Sequence, residues 1–407
     1  MAHRVVIVGA GQAGVETAVA LRSKGFNDPI VIIGDEDCAP YQRPPLSKEF
    51  LKTATDSDDL VLRPGAYFDR NNIELRCGRK VTAIDRDRQR VALDDGGTLD
   101  YQHLVLATGT RNRQLQVTGA DLRGLHYLRT LDEAHALTAR LPACGSVVVI
   151  GAGFIGLEVA AAARMHGAQV TVVEAAGRPM GRALSAPMSD YFAELHRSQG
   201  VRLMFNTGVY EIAEKAGAAA TVVTDTGERI DAEVIVVGIG VIPNTELAAA
   251  AGLAVDNGIV VDTQLRTVDP HISAIGDCAS FPVPDSAGLV RLESVQNAVD
   301  HARCVAARLT GQACDYDKVP WFWTEQFGAK LQMAGLVTGH DRTVVRGDPA
   351  HGSFSVFCFH GDTLLGVESV NAARDHMAAR KLLAAGCRIS PDDASDSTVD
   401  LKGLSTH

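Results

Sequence analysis

The chain carries one glycine grammar twice, and this repetition limits the folds open to it more than any other feature. Val5-Val6-Ile7-Val8 runs into Gly9-Ala10-Gly11-Gln12-Ala13-Gly14, and Val147-Val148-Val149-Ile150 runs into Gly151-Ala152-Gly153-Phe154-Ile155-Gly156. Each apolar run reads as a buried strand and is followed by an alanine-rich amphipathic stretch. In such a strand-turn-helix unit the first glycine permits a tight turn and the second lets a pyrophosphate approach the backbone. The third lets helix pack on strand, and the helix N-terminus offers its positive end to the anion. One dinucleotide cannot fill two such sites, so two are expected.

The context supports each copy. A second apolar run, Ile30-Val31-Ile32-Ile33, ends at Gly34-Asp35-Glu36, and Val170-Thr171-Val172-Val173 ends at Glu174. Both acids follow their first glycine at close to the usual spacing of about 20 residues, where a carboxylate accepts hydrogen bonds from a ribose diol. A polypeptide that binds two dinucleotides meets the requirement for passing electrons from a nicotinamide to a flavin.

With 407 residues, 46% of them hydrophobic and few aromatic, the chain suits an α/β enzyme of two or three domains. No apolar run approaches the length of a membrane span, and the strand beginning near residue 4 leaves no room for a signal peptide. The eight cysteines form no CxxC or other close pair, which points to reduced thiols in a cytoplasmic setting and to no metal site. A net charge of −10 speaks against nucleic acid but leaves room for a local basic patch facing an acidic protein.

The order of elements predicts an α/β fold with two Rossmann-like dinucleotide-binding domains, one inserted in the other, and a small C-terminal α+β domain. Residues 1–110 and 238–315 form the expected outer domain, 111–237 the inserted one and 316–407 the C-terminal interface domain. Leu104-Val105-Leu106-Ala107-Thr108-Gly109 and Val234-Ile235-Val236-Val237-Gly238-Ile239-Gly240 are analogous strands stopped by small residues. From Trp321-Phe322-Trp323 onward alternating runs predict an antiparallel sheet and then a helix over 372–385. The acidic, serine-rich segment Pro391 to Ser397 reads as loose.

Taken jointly, Gly9 to Gly14, Arg43-Pro44-Pro45-Leu46-Ser47-Lys48, Leu106 to Gly109, Gly151 to Glu158, Ala274-Ile275-Gly276-Asp277, Glu293-Ser294-Val295 and Pro320 to Trp323 carry a resemblance. The chain resembles the flavoprotein ferredoxin reductases that serve bacterial haem monooxygenases and ring-hydroxylating dioxygenases, over essentially its whole length. The resemblance implies FAD and NADH as cofactors, with the NAD domain (111–237) inserted in the FAD domain (1–110 and 238–315), and a 2Fe-2S ferredoxin as a transient, electrostatically steered partner.

It also implies site residues. Gly9, Gly11, Ala13, Gly14, Asp35, Val81, Gly109, Arg129, Asp277 and Val295 are expected to contact FAD, with Arg43 and Thr108 as further candidates. Asp277 is placed to accept from a ribityl hydroxyl, although on chemistry alone it also suits a helix cap. Lys48 resembles the family lysine near the flavin N5 and O4 edge, where a cation stabilises the anionic reduced ring. Gly151, Gly153, Gly156 and Gly240 are expected to contact the nicotinamide dinucleotide. Glu174 favours the free 2′-hydroxyl of NADH, while Arg178 and Arg182 could accommodate a 2′-phosphate. Glu158 could position the nicotinamide or cap its helix, and Trp323 resembles a family aromatic that covers part of the flavin.

Two other readings share this fold. NADH oxidases, peroxidases and coenzyme A-disulfide reductases place a reactive cysteine where this chain has Lys48; Cys38 is the nearest thiol and reads as a loop cysteine. A redox-sensing or apoptosis-inducing flavoprotein is the third class, and no localisation-type basic run supports it. For ferredoxin docking, Arg63, Arg303 and Arg308 are candidates.

Overall fold

The computed structural model describes residues 4–53, 56–216, 218–283 and 288–406. The chain divides into two compact units: Met1–Gln42, Asp56–Arg111 and Val241–Lys318 form the first, and Arg43–Thr55, Asn112–Gly240 and Val319–His407 the second.

The first unit is built on a five-stranded parallel sheet in the order Ile272–Ala274, His103–Leu106, Val5–Val8, Ile30–Ile33, Ile73–Arg76. The central strands are buried along their whole length, as the unbroken Val/Ile/Leu runs require when both faces are covered. On this sheet the helix Gln12–Ser23 packs against the helix Val295–Leu309, and Ala13, Ala18, Val305 and Ala306 are all in the core. The antiparallel strands Val81–Asp85, Arg90–Leu93 and Thr98–Asp100 complete the interruption between the third and fourth parallel strands of the chain.

The second unit repeats the plan. Its parallel sheet runs Arg202–Met204, Gln169–Val173, Ser146–Ile150, Val234–Val237, Leu125–His126, with the helix Phe154–Met165 following the central strand. Ala160, Ala161, Ala162 and Ala163 of that helix are buried, which explains the alanine run: small side chains let the helix lie close on the sheet. A five-stranded antiparallel sheet follows, in the order Trp321–Gln326, Ala329–Gly335, Thr363–Val370, Ser353–His360, Arg342–Asp348, and the helix Ala373–Ala385 packs on it.

The C-terminal segment departs from expectation. Pro391–Ser395 is a helix, capped by Ser390, with Pro391 and Ala394 buried. The reason is Arg346, only 7% exposed, whose guanidinium donates to the carbonyls of Asp396, Ser397 and Val399 and pairs with Asp375. A distant arginine supplies the order that the local composition does not.

Candidate functional site

In the first unit each glycine of the outer fingerprint has its own steric reason. Gly9 has φ +115, and a Cβ built on it would lie 2.1 Å from the Ala107 carbonyl oxygen. On Gly14 a Cβ would lie 1.9 Å from the Gly9 carbonyl oxygen, whereas on Gly11 it would meet nothing within 4 Å. Gly11 is the N-cap of its helix with no side-chain cap and no acid in the first turn, so the helix N-terminus stands ready for an anion. The expected neighbours converge here. A Cβ on Gly276 would come within 3.0 Å of the Ala13 Cβ and 3.9 Å of Ala298, which places Asp277 and the start of the Val295 helix beside the fingerprint. Gly34 presses on Ala10, bringing Asp35 alongside, and Arg79, two residues before the buried Val81, donates its N–H to the Gly34 carbonyl.

Two supports escaped the sequence reading. His301, fully buried, accepts the Gly276 N–H at its Nδ1 (3.2 Å); burial pushes its pKa down to about 3 and so keeps it neutral for that role. Asn244 accepts the Thr108 hydroxyl at its carbonyl (2.6 Å) and donates its side-chain amide to the Thr108 carbonyl (2.9 Å), so that hydroxyl is committed to holding the turn before Gly109.

The inner fingerprint of the second unit follows the same geometry. Gly151 has φ +103, a Cβ on it would lie 2.4 Å from the Gly238 carbonyl oxygen, and one on Gly156 would lie 2.2 Å from the Gly151 carbonyl oxygen. Gly153 caps its helix without a side-chain bond, again with no acid in the first turn. Glu174 is already at work: its Oε2 accepts the Ala152 N–H (2.7 Å) and its Oε1 the Ala176 N–H (2.7 Å), leaving each oxygen acceptor capacity for a ribose hydroxyl. Arg178 turns back to donate to the Gly181 carbonyl (3.0 Å), while the exposed Arg182 brings its guanidinium to 3.3 Å from where a Gly240 Cβ would stand.

The same unit holds the three residues expected to be catalytic, Lys48, Glu158 and Trp323, and joins the first two. The Pro44–Ser47 turn delivers Lys48, whose Nζ lies 2.9 Å from Oε1 and 3.0 Å from Oε2 of Glu158. Glu158 is 3% exposed; its Oε2 also accepts from the Ser47 hydroxyl and its Oε1 from the Thr324 hydroxyl (2.5 Å). The carboxylate does not cap its helix: Ser47, Lys48 and Thr324, which it meets, all come from other elements, and the helix has no side-chain cap. Arg43 donates to the Arg129 carbonyl (2.6 Å), tying both to this turn. Trp323 stands apart from the cluster: alternation along its strand puts Phe322, Thr324 and Gln326 on one face and Trp323 on the other, stacked near Trp321 (5.4 Å). Phe322, by contrast, meets Phe154 at the start of the inner helix (4.8 Å). Thr324 and Gln326, both fully buried, carry no sequence signal, since Thr324-Glu325-Gln326 reads as an ordinary polar end to its strand.

Among the docking candidates, Arg308 is turned inward, donating to the Ser273 hydroxyl (2.5 Å) beside His103. Arg63 and Arg303 line a groove between the Gln12–Ser23 and Val295–Leu309 helices, paired with Glu16 (3.2 Å) and Asp300 (3.7 Å). Among the described residues no cluster could hold a metal ion, and no helix is long and apolar enough to cross a membrane.

Two parallel sheets, each opening an uncapped helix at a glycine fingerprint, define a two-dinucleotide oxidoreductase fold. The sequence model described as pyridine nucleotide-disulphide oxidoreductase matches residues 3–302 and the one described as reductase C-terminal matches 321–405. The chain is 60% identical to rhodocoxin reductase of Rhodococcus erythropolis over 398 residues, covering 98% of this chain and 93% of that one. Among solved structures it resembles the ferredoxin reductase for the CYP199A2 system from Rhodopseudomonas palustris (TM-score 0.97, 48% identity, 99% and 100% of the two chains). It also resembles the reductase of the covalent putidaredoxin reductase-putidaredoxin complex (TM-score 0.96, 41% identity, 99% and 98%). The chain belongs to the pyridine nucleotide-disulphide oxidoreductase family. It is an oxidoreductase whose cofactors are FAD and a nicotinamide dinucleotide.

Proposed function

We propose that the protein passes electrons from NADH through FAD, one at a time, to a small 2Fe-2S ferredoxin that feeds a haem monooxygenase or ring-hydroxylating dioxygenase in the cytoplasm. The observation that carries this reading is the Lys48–Glu158 ion pair, with a lysine at the position that, by the family resemblance, holds the reactive cysteine in thiol-using relatives. The residues present fit both dinucleotides, since Gly11 and Gly153 leave open cradles above helix N-termini that no side chain among the described residues caps. Bound FAD would supply the chemistry, accepting a hydride from NADH and releasing electrons singly.

The chain's own groups bind and orient. The two helix N-termini take the pyrophosphates, Asp35 and Glu174 the ribose diols, and Asp277 the ribityl chain, with Ala13, Val81, Arg129 and Val295 completing the flavin contacts. Glu174 selects NADH because a carboxylate repels a 2′-phosphate, and Arg178, engaged with its own loop, offers little to offset that. Lys48 provides a fixed positive charge for the reduced flavin, and Glu158 holds Lys48 in place. No residue acts as a nucleophile. An acidic ferredoxin docks by way of Arg63 and Arg303, whose pairing with nearby acids favours weak, salt-sensitive association suited to a shuttle. The test is cytochrome c reduction by NADH with and without added 2Fe-2S ferredoxin. Turnover that depends on ferredoxin supports the reading; rapid NADH oxidation by dioxygen or peroxide without it contradicts the reading.

A further inference from the structure

Behind Glu158 lies a line of buried polar groups that binding and electron delivery do not require. Thr324, Gln326 and His196 are all 0% exposed, in a region where a polar side chain must be hydrogen-bonded or costly. They satisfy one another in sequence. His196 Nε2 lies 2.8 Å from Gln326 Oε1, Gln326 Nε2 lies 3.2 Å from Thr324 Oγ1, and Thr324 Oγ1 lies 2.5 Å from Glu158 Oε1.

The direction of this chain is fixed by its chemistry. An amide oxygen only accepts, so His196 must carry its hydrogen on Nε2; its Nδ1 has no hydrogen-bond partner among the described residues, and burial pushes the imidazole down to about 4, keeping it neutral. The Gln326 amide nitrogen then donates to Thr324. With that lone pair engaged, the single hydroxyl hydrogen of Thr324 goes to Glu158. Every link donates towards the carboxylate, and each polarises the next. Gln326 Nε2 also reaches Met180 Sδ (3.8 Å), and the Met180 N–H donates to the Ala152 carbonyl (2.8 Å), so the same amide braces the inner fingerprint.

We propose that Thr324, held from behind by Gln326 and His196, is a positioning residue that fixes the Glu158 carboxylate and, through it, the Lys48 ammonium for reduction of the flavin. The inference rests on the reading above in that Lys48 and Glu158 serve the flavin. Ser47 and Lys48 both come from the Arg43–Thr55 segment, so without Thr324 the carboxylate keeps partners on one side only and is free to rotate with them. Holding charged groups in one geometry before reaction is what a preorganised site contributes.

The test compares FAD-loaded parent, Thr324→Val, Thr324→Ser and Gln326→Leu. Valine keeps the shape and removes the hydroxyl; serine keeps the hydroxyl. Anaerobic mixing with NADH gives the limiting rate of flavin reduction and the apparent Kd, dye equilibration gives the FAD midpoint potential, and melting gives Tm. In Thr324→Val the limiting rate falls about tenfold, the scale of one hydrogen bond to a charged group, with apparent Kd within about twofold. The potential becomes more negative because Lys48 is held less firmly. Thr324→Ser recovers most of both, and Gln326→Leu lies between. Parent-like rate and potential in Thr324→Val, or the same loss in Thr324→Ser, would overturn the proposal. Should Thr324→Val not retain FAD, parent-like values in Gln326→Leu would overturn it equally. No readout uses ferredoxin, so a parent that fails to reduce ferredoxin contradicts the proposed function while the potentials still decide the role of Thr324.

Discussion

Glu174→Gln is the substitution whose effect on nucleotide choice the structure lets one work through. The carboxylate accepts one backbone N–H at each oxygen, from Ala152 and Ala176, both at 2.7 Å. One acceptor position per oxygen therefore remains for the two hydroxyls of a ribose diol. Glutamine keeps one oxygen and replaces the other by a group that cannot accept. The loop loses one backbone anchor, a cost shared by both nucleotides that cancels in their ratio. NADH additionally loses a hydrogen bond to a charged group, worth about 1.5–3 kcal/mol, or about 10- to 100-fold. NADPH loses no such bond and is relieved of repulsion between the carboxylate and its 2′-phosphate. The ratio of kcat/KM for NADH over NADPH, measured with ferricyanide as acceptor, should narrow by at least about tenfold. A ratio within twofold of the parent would refute this reasoning and pass the selection to Arg178, Arg182 or the loop itself.

Three further outcomes follow from the same geometry. Asp277→Ala should release FAD on dialysis faster than the parent, because a polar partner of the ribityl chain is lost; equal retention would remove Asp277 from the site. Cys38→Ser should leave ferredoxin-dependent cytochrome c reduction within a few-fold of the parent, and a large loss with intact flavin content would show that a thiol takes part. Glu368, completely buried and accepting the Ser185 N–H (2.9 Å), has its pKa pushed up to about 7 by burial. The fold therefore binds this proton more tightly than the unfolded chain does, so stability is highest below the unfolded value near 4.5 and falls as pH rises towards 7. The loss is at most about 3 kcal/mol. Glu368→Gln should flatten the decline of Tm between pH 5 and pH 8; an unchanged slope would assign the decline to other groups.

The two dinucleotide domains were legible because their glycines answer local steric demands: a φ near +100 at Gly9 and Gly151, and close contacts of Gly14 and Gly156 with the preceding turn. Such demands are written within a dozen residues. The surroundings of Glu158 were not legible, since Ser47, Lys48 and Thr324 meet it from segments far apart in sequence, and only folding brings them together. Strand alternation turns Thr324, next to Trp323 in the aromatic run, towards the carboxylate, a contact that the run itself does not announce. Arg346 and Arg308 repeat the lesson: arginines that composition assigns to the surface are spent on carbonyls and hydroxyls inside the fold.

The most direct test of the central claim is anaerobic single-turnover mixing of the NADH-reduced protein with an oxidised 2Fe-2S ferredoxin, following the flavin and the cluster by their separate absorbance. The account predicts that two clusters are reduced for each FAD reoxidised, in parent and in Cys38→Ser alike. Reduced flavin that persists with ferredoxin present but is consumed by dioxygen, peroxide or a disulfide would contradict it.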